Sequence, residues 1–223
     1  MARFISNFSL DSSMSDDIHE LLFRLAEHIW LTLSSVSLAI LIAFPLACLA
    51  WANRPLRTVL VTGTQIAQTI PSLALLALLL PFLGIGKVTA VTVLVVYAIL
   101  PIVRNTLTGL AETPSELMEA GENLGMNQLQ ILWHVQIPHG LPIIVGGIRT
   151  ATVWSVGTAT LSAFIGAGGL GDFITRGLAL QNTKLLLMGA IPAALLAVLL
   201  DLGLGQMEAR SLRWKNGSSF WRS

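Results

Sequence analysis

The sequence predicts an all-α fold: a polytopic membrane helix bundle of about five transmembrane helices, with one long polar connection between two of them. Three observations predict it. Hydrophobic residues make up 54% of the 223 residues and charged residues only 11%, where a soluble domain carries about 25% charged residues. Mean hydropathy is +0.74. Five apolar segments approach the roughly 20 residues that a helix needs to cross a bilayer. This composition excludes a disordered chain and a coiled coil. The net charge of +1 excludes a nucleic-acid binder that relies on bulk positive charge.

The chain opens Met1-Ala2-Arg3-Phe4 and stays polar and acidic through Glu20. No basic stretch followed by an apolar one begins it, so a cleavable signal peptide is not expected. Ile18, Leu21, Leu22 and Leu25 fall at i, i+3, i+4 and i+7. That spacing predicts a short amphipathic helix, with Asp16 or Asp17 as its cap, lying at the membrane surface. Residues 1–27 are therefore read as an extracytoplasmic segment, 28–210 as the transmembrane domain and 211–223 as a cytoplasmic tail.

The five spans are read at 29–52, 59–80, 88–103, 141–165 and 185–204. The third is short for a bilayer. The lone cysteine, Cys48, lies in the first span, where a buried inert thiol is the plain reading. Lys and Arg near the span ends set the orientation. With the N-terminus outside, Arg54, Arg57, Arg104, Arg210, Arg213, Lys215 and Arg222 lie inside. Arg3, Arg24, Lys87, Arg176 and Lys184 lie outside. The balance favours N-terminus out and C-terminus in.

The second span contains Gln65, Gln68, Thr69 and Pro71. Pro71 is either a kink whose freed carbonyl is satisfied by neighbours or part of a functional site. The polar side chains before it favour a bundle interior or a wet pathway. In the fourth and fifth spans, Arg149 and Asp201 are ionisable. Asp201 is expected to be paired. Arg149 either snorkels to the interface, or is paired, or takes part in function.

The polar connection, 105–140, has a clear local grammar. Thr113-Pro114-Ser115-Glu116 predicts a helix start, with Thr113 as cap and Glu116 closing a capping box. Glu116, Glu119 and Glu122 fall on one side, and Leu117, Ala120 and Leu124 on another. Gly125 suits a left-handed stop. Asn127 with Gln130 predicts a second start, with Ile131, Leu132 and Val135 as its apolar face and Pro138 as its end. The segment carries no Lys or Arg, which argues against a DNA-binding helix-turn-helix. His134 and His139 have no third ligand at metal spacing. No metal, cofactor or nucleic-acid site is expected in the chain.

Glu119-Ala120-Gly121, then Gly125, then Ile137-Pro138 resembles the EAA loop of the permeases of ABC importers. In that family the third position is commonly alanine, and here it is Gly121. The loop also lies where the family has it, between the third and fourth of five spans. The resemblance implies that Glu119, Ala120, Gly121, Gly125, Ile137 and Pro138 form a coupling helix that docks into a cytoplasmic ATPase. Gln68-Thr69-Ile70-Pro71-Ser72-Leu73, Leu100-Pro101-Ile102-Val103-Arg104-Asn105-Thr106 and Gly166-Ala167-Gly168-Gly169-Leu170-Gly171 resemble permeases for glycine betaine, choline and carnitine. Methionine-importer permeases share the five-span plan. The Ile70-Pro71-Ser72-Leu73 and Arg104-Asn105-Thr106 stretches favour the osmoprotectant branch.

Gly166, Gly168 and Gly171 also fit G-x-G-x-x-G, but a membrane span precedes them where a dinucleotide site needs a strand. Gly166, Gly168, Gly169 and Gly171 are read as an outside-facing turn near a binding-protein docking surface. The chain has no G-x-x-x-x-G-K-[ST] sequence, so it is expected to be no enzyme itself. The resemblance implies a bacterial plasma (inner) membrane protein with three kinds of partner. These are two copies of the ATPase, an extracytoplasmic solute-binding protein and a second permease chain, identical or paralogous. A secondary transporter is the rival from another class. Five spans do not divide into two equal inverted repeats, and no repeated interrupted segments are present.

Overall fold

The computed structural model describes the backbone of residues 2–217 and the side chains of 17–213. Every regular element among them is helical. The helix α1 runs without a break from Ala2 to Trp51. No helix therefore starts at Asp16 or Asp17, and Ile18 to Leu25 belong to the same helix as the first span. One face of α1 presents Ala39, Ala43 and Ala47, all with no exposed surface, to Val95, Ala98 and Ile102 of the central helix α4 (Lys87–Ala111). Methyl-sized side chains let two backbones approach closely, which drives helix packing where lipid offers no hydrophobic contrast.

The second expected span is two helices. Segment α2 (Arg54–Thr69) and α3 (Ser72–Leu83) meet at 97°. Asn53 caps α2 by accepting from the Leu56 amide at 3.1 Å. The break follows from Pro71, which has no N–H and forces Ile70 into extended backbone (φ −74°, ψ 125°). The reading of 59–80 as one continuous span is therefore corrected to two helices at a sharp bend, the geometry of a broken span or a re-entrant loop.

At 25 residues, α4 is longer than the expected 88–103 and is long enough to cross. It runs on through Asn105 and Thr106, so the polar connection begins only after Ala111. The next helices are α5 (Ser115–Asn123), α6 (Gln128–Ile131) and α7 (Ile137–Ala159), with a π-helical turn, Leu132–Gln136, between the last two. A 3₁₀ turn, Thr160–Ile165, follows α7, and 128–165 forms one 38-residue helical rod. Pro138 therefore ends no helix; it sits in the first turn of α7. The π turn shifts the hydrogen-bond register, with the Ile137 amide bonding the Leu132 carbonyl, so the ring is accommodated in the rod.

Past the glycine turn lies a short helix the sequence reading did not anticipate, α8 (Gly171–Ala179). The last helix, α9 (Thr183–Gly217), has 35 residues. The expected tail from 211 thus begins inside α9. Two packed clusters centre on α4. Leu31, Leu75, Leu76, Val93, Leu94 and Ile165 form one, and the α1 alanines with Val95, Ala98 and Ile102 form the other. Near the polar connection α4 and α7 touch glycine to glycine. A Cβ on Gly140 would lie 2.5 Å from the Gly109 carbonyl oxygen.

Candidate functional site

The polar connection, now 112–127, is a tight turn between α5 and the long rod. Thr113 does not cap α5: its amide bonds back to Leu110, finishing α4, and its side chain is buried. Pro114 holds the cap position, without a side-chain bond. The expected Thr113–Glu116 box is thereby corrected. Gly125 does what its position predicts. Its φ is +77°; its amide bonds the Glu122 carbonyl at 2.9 Å, and the Met126 amide bonds the Gly121 carbonyl at 3.0 Å. This pair of bonds is a Schellman stop. Two residues on, the Asn127 box forms as read. The Gln130 amide donates to Asn127 Oδ1 at 2.9 Å, and the Asn127 amide to Gln130 Oε1 at 2.8 Å.

Gly121 is buried, and a Cβ there would be 3.3 Å from Ile131 Cγ1, so α5 lies close on the start of the rod. Gln136 adds a second tie by donating to Met118 Sδ at 3.4 Å. Glu116, Glu119 and Ala120 are exposed. So is Leu124, at 77%, with Leu129 at 65% and Trp133 at 53%. The apolar face expected from Leu117, Ala120 and Leu124 turns mostly outward. The turn and the start of the rod thus expose both carboxylates and large apolar side chains. Ile137 and Pro138 lie in the rod behind it, partly buried.

At the break in the second span, Tyr97 of α4 donates its hydroxyl to the Ile70 carbonyl, and Gln68 Nε2 donates to the Tyr97 carbonyl at 2.8 Å. The Ile70 carbonyl, which lies at the bend between the two helices, is thereby satisfied by a neighbouring helix. Thr69 bonds back to Ile66 within its own helix at 2.7 Å. Gln65, Thr69 and Pro71 are exposed in the single chain. Only Gln68 of the polar set is tied across the break.

The glycine turn has left-handed backbone at Gly166, Gly168 and Gly169. Gly171 differs: its φ is ordinary, and a Cβ there would collide with the Thr160 carbonyl. The Gly169 amide donates to Glu27 Oε2 at 3.2 Å. Glu27 also binds Lys87 at 2.8 Å and Arg24 at 3.1 Å, and Arg24 binds Asp172 at 2.9 Å. Arg176 pairs with Glu20 at 2.6 Å. Next to Glu27, fully buried His28 bonds the Val156 carbonyl through Nε2 at 3.1 Å. Sequence reasoning missed this clamp of α1, α4 and α8. The available signal was Glu20, Arg24 and Glu27 at i, i+4 and i+7 on a helix entering an apolar run.

Arg149 and Asp201 meet. The guanidinium forks onto Asp201 at 2.6 and 2.7 Å and reaches Glu208 at 3.0 Å. Asp201, Gly205 and Glu208 are one face of α9, and Gly146 lies a turn before Arg149 on α7. Both glycines sit close under the charged groups: a Cβ on Gly205 would lie 3.2 Å from Arg149 Cζ, and one on Gly146 3.3 Å from Glu208 Oε1.

Residues 35–212 match the family described as the inner membrane component of binding-protein-dependent transport systems. The chain belongs to that family. The permease is 41% identical over 192 residues to the carnitine transport permease protein OpuCB of Listeria monocytogenes, covering 86% of this chain and 88% of the relative. It is 41% identical to the glycine betaine/carnitine/choline transport system permease protein OpuCB of Bacillus subtilis, over 86% and 88% of the two chains. It is 43% identical to the osmoprotectant import permease protein OsmW of Salmonella typhimurium, over 78% and 84%. In fold the permease matches a chain of the MetNI methionine ABC transporter in an inward-facing form. The TM-score is 0.80 at 24% identity, over 87% of this chain and 97% of the other.

Proposed function

We propose that the chain is the permease subunit of an ATP-driven importer that forms the translocation pore for a small osmoprotectant such as glycine betaine, choline or carnitine. The observation that carries this is the agreement of the three relatives in their transported compounds, at an identity spread along most of the chain. Two permease chains, identical or paralogous, pair across the pore, each over one cytoplasmic ATPase. An extracytoplasmic binding protein delivers the substrate. The N-terminus lies outside and the C-terminus inside, as the Lys and Arg distribution favours.

Coupling is assigned to Glu119, Ala120, Gly121, Gly125, Ile137 and Pro138. Three features support it. The Schellman stop and the Asn127 box leave the turn little freedom. Leu124, Leu129 and Trp133 stay exposed in the chain, although the Trp133 ring meets Phe44 of α1 edge-on. The loop also feeds directly into one 38-residue rod, so a push on the loop moves the whole helix. The close contact of Gly140 with Gly109 passes the same displacement to α4. Gln65, Gln68, Thr69, Pro71 and Arg149 are assigned to the path or its gate, where a broken span with exposed polar side chains fits a wet lining. Gly166, Gly168, Gly169 and Gly171 form the outer turn against which the binding protein docks.

The test is uptake into proteoliposomes containing the permease, its ATPase and its binding protein. Radiolabelled betaine or choline should accumulate only with ATP and the ATPase present. Uptake driven by an ion gradient without ATP overturns the importer reading. ATP-dependent uptake of methionine, with none of quaternary ammonium compounds, overturns the substrate class.

A further inference from the structure

The Arg149 cluster is larger than a structural ion pair requires. Arg149 is already satisfied by its fork onto Asp201, and Glu208 adds a second carboxylate from two turns along α9. The cluster therefore holds one carboxylate in excess of its guanidinium. It lines a cavity of about 460 Å³ together with Asn105, Thr150 and Trp154, within the roughly 300–1,000 Å³ usual for small-molecule sites. All three charged side chains are partly open, at 35%, 37% and 29% exposure, and Trp154 is half exposed, at 52%.

Only 11% of the apolar stretch of α9 is buried within the chain, while its Asp201–Gly205–Glu208 face lies against Arg149 of α7. A net charge facing hydrocarbon is expensive, and the partial exposure of all three charged side chains fits a cavity that opens to water. Its chemistry then selects a ligand. Excess negative charge attracts a cation. A hard metal ion would require about six oxygen ligands, and here both Asp201 oxygens and Glu208 Oε2 are taken by Arg149, which leaves Glu208 Oε1 beside the Trp154 indole. A weakly hydrated cation that donates no hydrogen bond suits an aromatic face beside a carboxylate.

We propose that this cavity is a transit subsite for a quaternary ammonium group, with Trp154 as the aromatic wall and Glu208 as the charge in excess. The proposal rests on the osmoprotectant reading of the permease, and it goes further by placing recognition of the cationic head inside this chain.

The test uses the permease–ATPase complex in nanodiscs, without binding protein, and tetramethylammonium as the probe in equilibrium dialysis. Saturable binding is expected. Trp154→Leu and Glu208→Gln should each weaken it about tenfold, the scale of a partly desolvated cation–π contact, while Trp154→Phe keeps the ring and stays within about threefold. Trp154→Leu leaves the ion cluster untouched, so a folding defect of Glu208→Gln does not decide the outcome. Absence of saturable binding by the wild type, or equal binding by Trp154→Leu and the wild type, overturns the proposal. The two readings fail separately. A complex that imports choline but binds no tetramethylammonium loses the subsite alone. One that binds tetramethylammonium through Trp154 but imports no osmoprotectant loses the functional reading alone.

Discussion

Gly125→Val tests the coupling turn most directly. Gly125 has φ +77°, and a Cβ there would meet nothing within 4 Å. The whole cost of a side chain is therefore torsional. An L-residue in left-handed backbone costs about 1–2 kcal/mol, which lowers the ratio of native to distorted turn roughly five- to thirtyfold. Valine lies at the upper end, because a β-branched residue at positive φ is a genuine outlier. Asparagine adopts the same backbone at much lower cost. The turn connects two elements that are anchored elsewhere, so its distortion should leave the bundle assembled. The assay is substrate-stimulated ATP hydrolysis and uptake in proteoliposomes, with a thermal melt of the detergent-solubilised complex alongside. Gly125→Val should cut uptake at least fivefold, with the melting temperature within a few degrees of wild type. Gly125→Asn should retain most of the uptake. Normal uptake by Gly125→Val would refute the reasoning. So would equal damage from Asn and Val, since the defect would then not be torsional.

Other predictions follow from packing and charge. Gly140→Val should destabilise the complex by about 1–3 kcal/mol or more, because its Cβ would sit 2.5 Å from the Gly109 carbonyl oxygen and force α7 off α4; an unchanged melting temperature would contradict that crossing. Glu27→Gln removes the charge that holds Lys87, Arg24 and the Gly169 amide. It should cost about 1.5–3 kcal/mol, read as a lower melting temperature, and the loss should shrink in Lys87→Met, which already lacks one partner. Orientation is tested with Ser12→Cys in a Cys48→Ala background. An impermeant maleimide should label it from outside intact cells, and labelling only after permeabilisation would reverse the topology. The side chain at position 12 lies outside those the structure describes.

Much of the fold was legible because its signals are local. Apolar runs locate the spans whatever their neighbours, since the bilayer imposes the same requirement on each. Gly125 and the Asn127–Gln130 box were readable because a left-handed stop and a capping box are closed within five or six residues. Pro71 was readable as an interruption for the same reason. Thr113 misled because the cap grammar fits two neighbouring helices. Its amide completes α4 instead of its side chain starting α5, and that choice depends on how far α4 extends. Pro138 misled because a π turn can carry a proline through a helix.

What the sequence by itself determined is the solvent of this protein, its helical class and the chemistry of its turns. All of these follow from side-chain type and short spacing. Only the tertiary structure decided the 97° angle of the broken span, the Gly109–Gly140 contact and the charge pairings. Arg149 with Asp201 and Glu208, and Glu27 with Lys87 and Gly169, join residues between 52 and 142 positions apart. Composition gives the number of charges in a membrane helix. Which charge neutralises which depends on the helices that end up adjacent, and that is set by close packing among alanine and glycine faces.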